Sequence, residues 1–170
     1  MAKLTPKAFV SAYIGYAVKT QSKTGIDARF TLAQAALESG WGESAPGNMF
    51  FGVKATKDTP ENKRQLLTTS EVLSDDKQAY RFPSVLSIIK RPDGKYLYKV
   101  KDWFRRYDSP EECFSDHADF FYKNKRYSEA LKVRHDPYAF ADEVAKAGYA
   151  TDPNYAKTLK STIRTIENYL

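Results

Sequence analysis

The chain is poor in residues that could tie it together covalently or through a metal. Its 170 residues include one cysteine, Cys113, so no disulfide can close within it. Histidine is almost as scarce, with His117 and His135 alone. Cys113 and His117 are four positions apart and can share a helix face, but a zinc site takes three or four ligands. These two are expected to be neutral packing residues, with no metal bound.

Long apolar runs are missing too. No segment approaches the roughly 18–20 apolar residues of a membrane span. The opening stretch MAKLTPKAFVSAYIGYAVKT is interrupted by Lys7 and does not read as a signal peptide. Lys and Arg number 27 against 21 Asp and Glu, a formal charge of +6. A basic balance suits polyanions: nucleic acid, an anionic membrane surface or an anionic cell wall. The basic residues are interleaved with acids and form no block, which is the pattern of a solvated face and gives no support to a nucleic-acid binder. There is no internal repeat, low-complexity tract or linker, and the length favours one domain with a real core.

Aromatics are abundant, with 12 Tyr, 10 Phe and 2 Trp. Tyrosine has a flat apolar face and a polar tip, so it suits carbohydrate grooves and half-buried cores alike.

Helix starts carry a repeated device in which a capping side chain precedes proline. Thr5-Pro6 opens a first helix with Phe9, Tyr13 and Tyr16 at helical spacing. Ser109-Pro110-Glu111-Glu112 opens another as a capping box, with Phe114, Ala118 and Phe121 as its inward stripe. Asp136-Pro137 starts a helix through about Ala147, stopped by Gly148. Asp152-Pro153 starts the last, with the stripe Tyr155, Leu159, Ile163, Ile166 and Leu170. Residues 64–82 are rich in strand formers around a turn at 74–77, with Leu67, Thr69, Glu71 and Leu73 on one face. A second hairpin, about 87–104, turns at Pro92-Asp93-Gly94. The expected class is mainly α (α+β), with a small antiparallel β region at about 64–104 inside a single domain, 1–170.

The chemistry concentrates in TLAQAALESGWGESAPGNMFFGVKA, residues 31–55. A helix over about 27–39 has a stripe of Ile26, Phe30, Ala33 and Leu37, widened by Leu32, Ala35 and Ala36, and so belongs inside the molecule. It ends on Glu38. The negative end of the helix dipole disfavours an ionised carboxylate there, and desolvation by Leu37 and Trp41 would add to that. A carboxyl group that keeps its proton near neutrality can donate it to a leaving oxygen, as glycosidase acids do. Gly40 and Gly42 leave backbone room around Trp41 for a tight turn or a close ligand.

This stretch resembles the signature of the cell-wall glucosaminidases of glycoside hydrolase family 73, which include autolysins. The acid-bearing helix, Ser-Gly-Trp-Gly and Asn-x-Phe-Phe-Gly-x-Lys-Ala make a long, specific motif. FRRYDSPEECFSDHADFF (104–121) and AGYATDPNYAKTL (147–159) are similar to the family's later blocks, in order. The resemblance covers nearly the whole chain. It implies a lysozyme-like helical domain with a small antiparallel β-hairpin lobe flanking the cleft, and Glu38 as catalytic acid. It further implies an acid on the β-lobe, for which LLTTSEVL offers Glu71; an extra serine shifts the register, and Asp75 and Asp76 are rivals. Tyr149 aligns with an active-site tyrosine that orients the substrate N-acetyl group or stabilises charge. Trp41, Asn48, Phe51 and Tyr155 are candidate substrate-binding or support residues, with Trp41 favoured as packing.

The expected activity is an endo-beta-N-acetylglucosaminidase that cleaves peptidoglycan between N-acetylglucosamine and N-acetylmuramic acid. The rivals are a muramidase or lytic transglycosylase on the same fold and a non-catalytic glycan-binding module. No metal or organic cofactor is expected. The expected partner is the glycan strand, with no nucleic acid, no membrane insertion and a monomeric state. Action on a cell wall, periplasmic or extracellular, would need an export route other than a leader in this chain.

Overall fold

The computed structural model describes residues 1–170. It has the mixed α+β class expected, with helices α1 (Pro6–Thr24), α2 (Ala28–Ser39), α3 (Pro110–Lys123), α4 (Ser128–Leu131), α5 (Pro137–Lys146) and α6 (Tyr155–Glu167). Strands β1 (Arg64–Leu73), β2 (Ser84–Lys90) and β3 (Tyr96–Arg105) form one antiparallel sheet. The chain divides into two compact units. One is Met1–Phe51 with Tyr107–Leu170, and holds all six helices. The other is Gly52–Arg106 and holds the sheet.

In the helical unit, caps set the helix starts. The Thr5 hydroxyl accepts from the Ala8 amide, Asp27 from Arg29, Ser109 from Glu112, and Asp136 from Tyr138 and Ala139. Each satisfies an amide that the first turn leaves without a helical partner. The Glu112 carboxylate reaches back to the Asp108 amide at 3.0 Å. Buried α2 contributes Phe30, Leu32, Ala33, Ala35 and Ala36 to the core, and α6 contributes Leu159, Ile163 and Ile166. Phe30 packs edge-on against Phe121 and Phe140 at 5.9 and 4.5 Å between ring centroids, which adds directional aromatic contact to burial.

Two helix expectations are corrected. The last helix begins at Tyr155, two residues beyond Pro153. The Asp152 side chain accepts from the Asn154 amide at 2.8 Å and its carbonyl accepts from the Tyr155 amide at 3.1 Å, which spends two residues in a turn. Leu170 lies past the helix end at Glu167 and is exposed, so it is not part of the inward stripe.

In the sheet unit, β3 is central, in the order β1-β3-β2. Its Tyr98 and Val100 are fully buried. The hairpin over Pro92-Asp93-Gly94 is as expected, though β2 starts at Ser84. The turn at 74–77 does not lead into a strand paired with β1. Residues Ala79–Arg81 form a 3₁₀ turn instead, and β1 pairs with β3. The Tyr98 hydroxyl fixes this loop by donating to the Asp75 carbonyl at 2.7 Å and accepting from the Gln78 amide at 3.1 Å. Along β1, Leu67, Thr69, Glu71 and Leu73 share the half-buried face, as their alternation predicts.

Candidate active site

Glu38 stands in the last turn of α2, and the backbone beyond it turns sharply. Gly40, Trp41 and Gly42 adopt φ of 59°, 56° and 86°, three left-handed residues in succession. Only the middle one carries a Cβ. Side chains resist this conformation, so the flanking glycines confine the cost to Trp41. The Trp41 amide donates to the Ala36 carbonyl at 2.7 Å, closing a Schellman-type helix end. Ser39, fully buried, donates its hydroxyl to the Ala35 carbonyl at 2.6 Å and accepts from the Gly42 amide at 3.0 Å. Ser-Gly-Trp-Gly is thus a turn that reverses the chain immediately after Glu38. The Trp41 ring packs edge-on against Phe9 at 5.5 Å, in the packing role favoured for it.

The end of α5 repeats the motif. Gly148 has φ of 89°, and the Tyr149 amide donates to the Val144 carbonyl at 3.3 Å. Tyr149 therefore occupies at α5 the position that Trp41 occupies at α2. Its ring stacks on Tyr155, at 5.6 Å and 17° between planes.

The carboxylate of Glu38 is exposed, while its neighbours on α2 from Thr31 to Ala36 are buried. The desolvation expected from Leu37 and Trp41 is not realised, because Leu37 is itself half-exposed and Trp41 turns toward Phe9. Glu38 is instead held by a hydrogen bond: the Tyr155 hydroxyl donates to its Oε1 at 2.9 Å. Behind Tyr155, the Gln34 amide nitrogen donates to the same hydroxyl oxygen at 3.0 Å, and Gln34 Oε1 meets His117 Nε2 at 2.6 Å. Gln34 and Glu38 are one turn apart on α2, so both face α6.

Burial and the nearby Glu38 charge raise the hydroxyl pKa of Tyr149 above its usual value of 10. Burial also raises that of Tyr155, against the opposing hydrogen bond from Gln34. Both phenols therefore keep their protons, and Tyr155 donates its own to Glu38. His117, stacked on Phe51 at 3.7 Å and 9°, has its pKa lowered by burial to about 3 and is neutral at ordinary pH.

Asn48, at φ of 57°, donates its side-chain amide to the Tyr107 carbonyl at 3.0 Å, an internal tie within the helical unit. The helical unit thus brings Glu38, Tyr149 and Tyr155 together. Trp41, Asn48 and Phe51 each make a packing or backbone contact within it. Sequence reasoning gives Gln34 no role and makes His117 only a packing residue. A polar side chain in the middle of an apolar helix was the available signal for Gln34.

Glu71 belongs to the sheet unit. Its side chain is 22% exposed and is hydrogen-bonded and ion-paired to Lys54, which also pairs with Asp102 at 3.2 Å. Burial opposes the charge on Lys54, hydrogen bonds to Glu71 and Asp102 favour it, and the balance raises its pKa. Lys54 is the lysine of the Gly-x-Lys-Ala motif, and sequence reading gave it no role. Asp75 accepts from the Lys77 amide at 2.9 Å in an exposed turn.

The model of the glucosaminidase family, described as mannosyl-glycoprotein endo-beta-N-acetylglucosaminidase, matches residues 14–168. The peptidoglycan hydrolase FlgJ of Pseudomonas aeruginosa is 31% identical over 168 residues, 95% of this chain and 37% of that protein. The exo-glucosaminidase LytG of Bacillus subtilis is 28% identical over 163 residues, 91% of this chain and 49% of that one. The chain thus spans less than half the length of these relatives. The C-terminally truncated glycoside hydrolase domain of Salmonella typhimurium FlgJ superposes with a TM-score of 0.71 at 32% identity, covering 96% of this chain and 99% of that one. A buried helix ending on one solvent-facing acid, two phenols beside it and a family match over nearly the whole length lead to one conclusion: this chain belongs to the glucosaminidase family.

Proposed function

We propose that this chain is the catalytic domain of a peptidoglycan hydrolase that cuts the β-1,4 bond between N-acetylglucosamine and N-acetylmuramic acid, on the glucosaminidase side. One observation carries the reading: Glu38 is open to solvent, yet held by a hydrogen bond from a buried tyrosine, Tyr155. A proton donor to a glycosidic oxygen has to be reachable by substrate and fixed in direction.

In the proposed reaction Glu38 gives its proton to the leaving oxygen as the C1–O bond breaks and its electron pair passes to that oxygen. The positive charge at C1 is met by one of two routes. Glu71 takes a proton from a water that attacks C1, which inverts the centre. Alternatively, the substrate's 2-acetamido oxygen attacks C1, and water then opens the resulting ring, which retains configuration. Tyr149, as a protonated donor, orients the acetamido group or stabilises the developing charge. Lys54 keeps the Glu71 side chain in a defined rotamer. The chain acts as a monomer, wherever peptidoglycan is reached; no helix is long and apolar enough to cross a membrane.

The test is digestion of purified peptidoglycan, reduction of the products and mass spectrometry. The expected product has a reduced N-acetylglucosamine end. A reduced muramic acid end would assign a muramidase, and an anhydro-muramic end a lytic transglycosylase. Glu38→Gln is expected to retain its fold and glycan binding while losing roughly 10²–10⁴ in rate. Unchanged activity in that variant would point to a binding module whose action does not depend on Glu38.

A further inference from the structure

His117, Gln34, Tyr155 and Glu38 form one unbroken file of hydrogen bonds that draws on α3, α2 and α6. The distances are 2.6 Å from His117 Nε2 to Gln34 Oε1, 3.0 Å from Gln34 Nε2 to the Tyr155 hydroxyl, and 2.9 Å from that hydroxyl to Glu38 Oε1. His117 and Gln34 are both buried, and the file opens to solvent only at Glu38. A primary amide has one donor end and one acceptor end, so whatever His117 presents to Gln34 decides what Gln34 presents to Tyr155.

If His117 Nε2 carries the ring proton, every link runs the same way. Nε2–H donates to Gln34 Oε1, the Gln34 NH₂ donates to the Tyr155 oxygen, and the Tyr155 O–H is left to donate to Glu38 Oε1. In the other tautomer the amide turns over, Tyr155 donates inward to Gln34, and Glu38 Oε1 has no proton to accept. The ring cannot settle the matter by taking a second proton, since burial keeps it neutral. Its orientation is fixed by stacking on Phe51 at 3.7 Å and Phe120 at 5.8 Å, and by edge contact with Tyr149 at 6.0 Å.

We infer that His117 and Gln34 are positioning residues for Glu38: acting through Tyr155, they make Oε1 a permanent acceptor, so that the proton delivered to the leaving oxygen is carried on Oε2. The inference rests on the reading of Glu38 as the acid. The titratable groups facing Glu38 are Tyr155 from α6 and Tyr149 from the loop before it, and Tyr149 also faces His117. Both phenols remain protonated, so they add donors to the site without adding charge.

Long-range proton–nitrogen NMR of the unaltered protein at neutral pH reads the tautomer directly. A bare Nδ1 and protonated Nε2 on His117 are expected, and the reverse tautomer overturns the inference. Kinetics on peptidoglycan supply the second readout. Tyr155→Phe removes the donor to Glu38, so kcat is expected to fall roughly tenfold with KM held. His117→Phe, which keeps a ring against Phe51, is expected to lower kcat by less, with KM again held. Adding it to Tyr155→Phe is expected to cost nothing further, because its influence passes through the missing hydroxyl. Losses that multiply in the double variant would overturn the relay and leave His117 a packing residue. Gln34→Met serves in its place if the His117 variant fails to fold. Glu38→Gln, assayed in parallel, separates the two levels. If it stays active, the acid assignment falls. If it is inactive while the relay variants keep the wild-type kcat, only the relay falls.

Discussion

The Tyr155 hydroxyl and Glu38 Oε1 meet at 2.9 Å although the residues are 117 positions apart. One stands at the start of α6 and the other at the end of α2. Both Tyr155 and Tyr149 hold their protons beyond the ordinary phenol range, for reasons of burial and of the Glu38 charge. Ultraviolet titration of tyrosinate is therefore expected to show no change below about pH 10 when either is replaced by phenylalanine. The same shift has a sign for stability. A phenol that resists ionisation in the fold stabilises it fully below the unfolded pKa, and that contribution falls as pH rises beyond 10. Thermal melts from pH 9 to 12 are expected to fall less steeply in the Tyr149→Phe variant than in the parent.

His117 works in the opposite direction. Its pKa is lowered from 6.5 to about 3. Between those values the unfolded chain binds a proton that the fold refuses, so stability is complete above about 6.5 and is lost as pH falls toward 3. Denaturant melts are expected to show that loss, and His117→Gln to flatten it. A slope unchanged by the substitution would assign acid sensitivity to other groups.

At the left-handed turn, Gly40→Ala and Gly42→Ala are each expected to destabilise the protein by about 1–2 kcal/mol, the cost of a Cβ at positive φ. No side chain crowds either position within 3.5 Å, so the cost is conformational. Urea denaturation measures it, and a neutral Gly42→Ala would mean that the turn relaxes. Gly15, in the middle of α1 with open space around it, provides the contrast: Gly15→Ala is expected to stabilise by several tenths of a kcal/mol.

The second acid can be identified by substitution in parallel. Glu71→Gln is expected to lower kcat by at least tenfold, whereas Asp75→Asn and Asp76→Asn in the exposed turn leave it within about twofold. Lys54→Met is expected to change stability by less than about 1 kcal/mol, since its ion pairs are partly exposed, and to lower kcat through Glu71. Activity that follows Asp75 instead would move the assignment to the turn.

Helix boundaries were legible because they are written locally. Thr5, Ser109 and Asp136 each cap an amide two or three positions on, and Gly148 ends its helix through its own backbone. The face of Glu71 was legible for the same reason, since alternation is a property of one strand. Strand order was not. The partner of β1 is β3, some 30 residues on, and the nearer segment after 74–77 is a 3₁₀ turn that Tyr98 ties to the central strand. Glu38 stood out because an acid closing an apolar helix breaks a local pattern. The file behind it was invisible because Gln34, His117 and Tyr155 come from distant parts of the chain, and a hydrogen bond between helices leaves no periodicity.

The two units each close on themselves where the chain passes between them. In the sheet unit the Arg105 amide bonds the Val53 carbonyl at 2.8 Å, and Lys54 bridges to Phe104. In the helical unit the Tyr107 amide bonds the Gly47 carbonyl at 2.8 Å, and Asn48 holds the Tyr107 carbonyl. Entry and exit are thus stapled on either side of the crossing, as in an inserted cassette. Recombination between relatives at these two splice points could exchange residues 52–106 whole, changing what the sheet carries while Glu38 and the hydrogen-bonded side chains behind it stay in one piece on the helices.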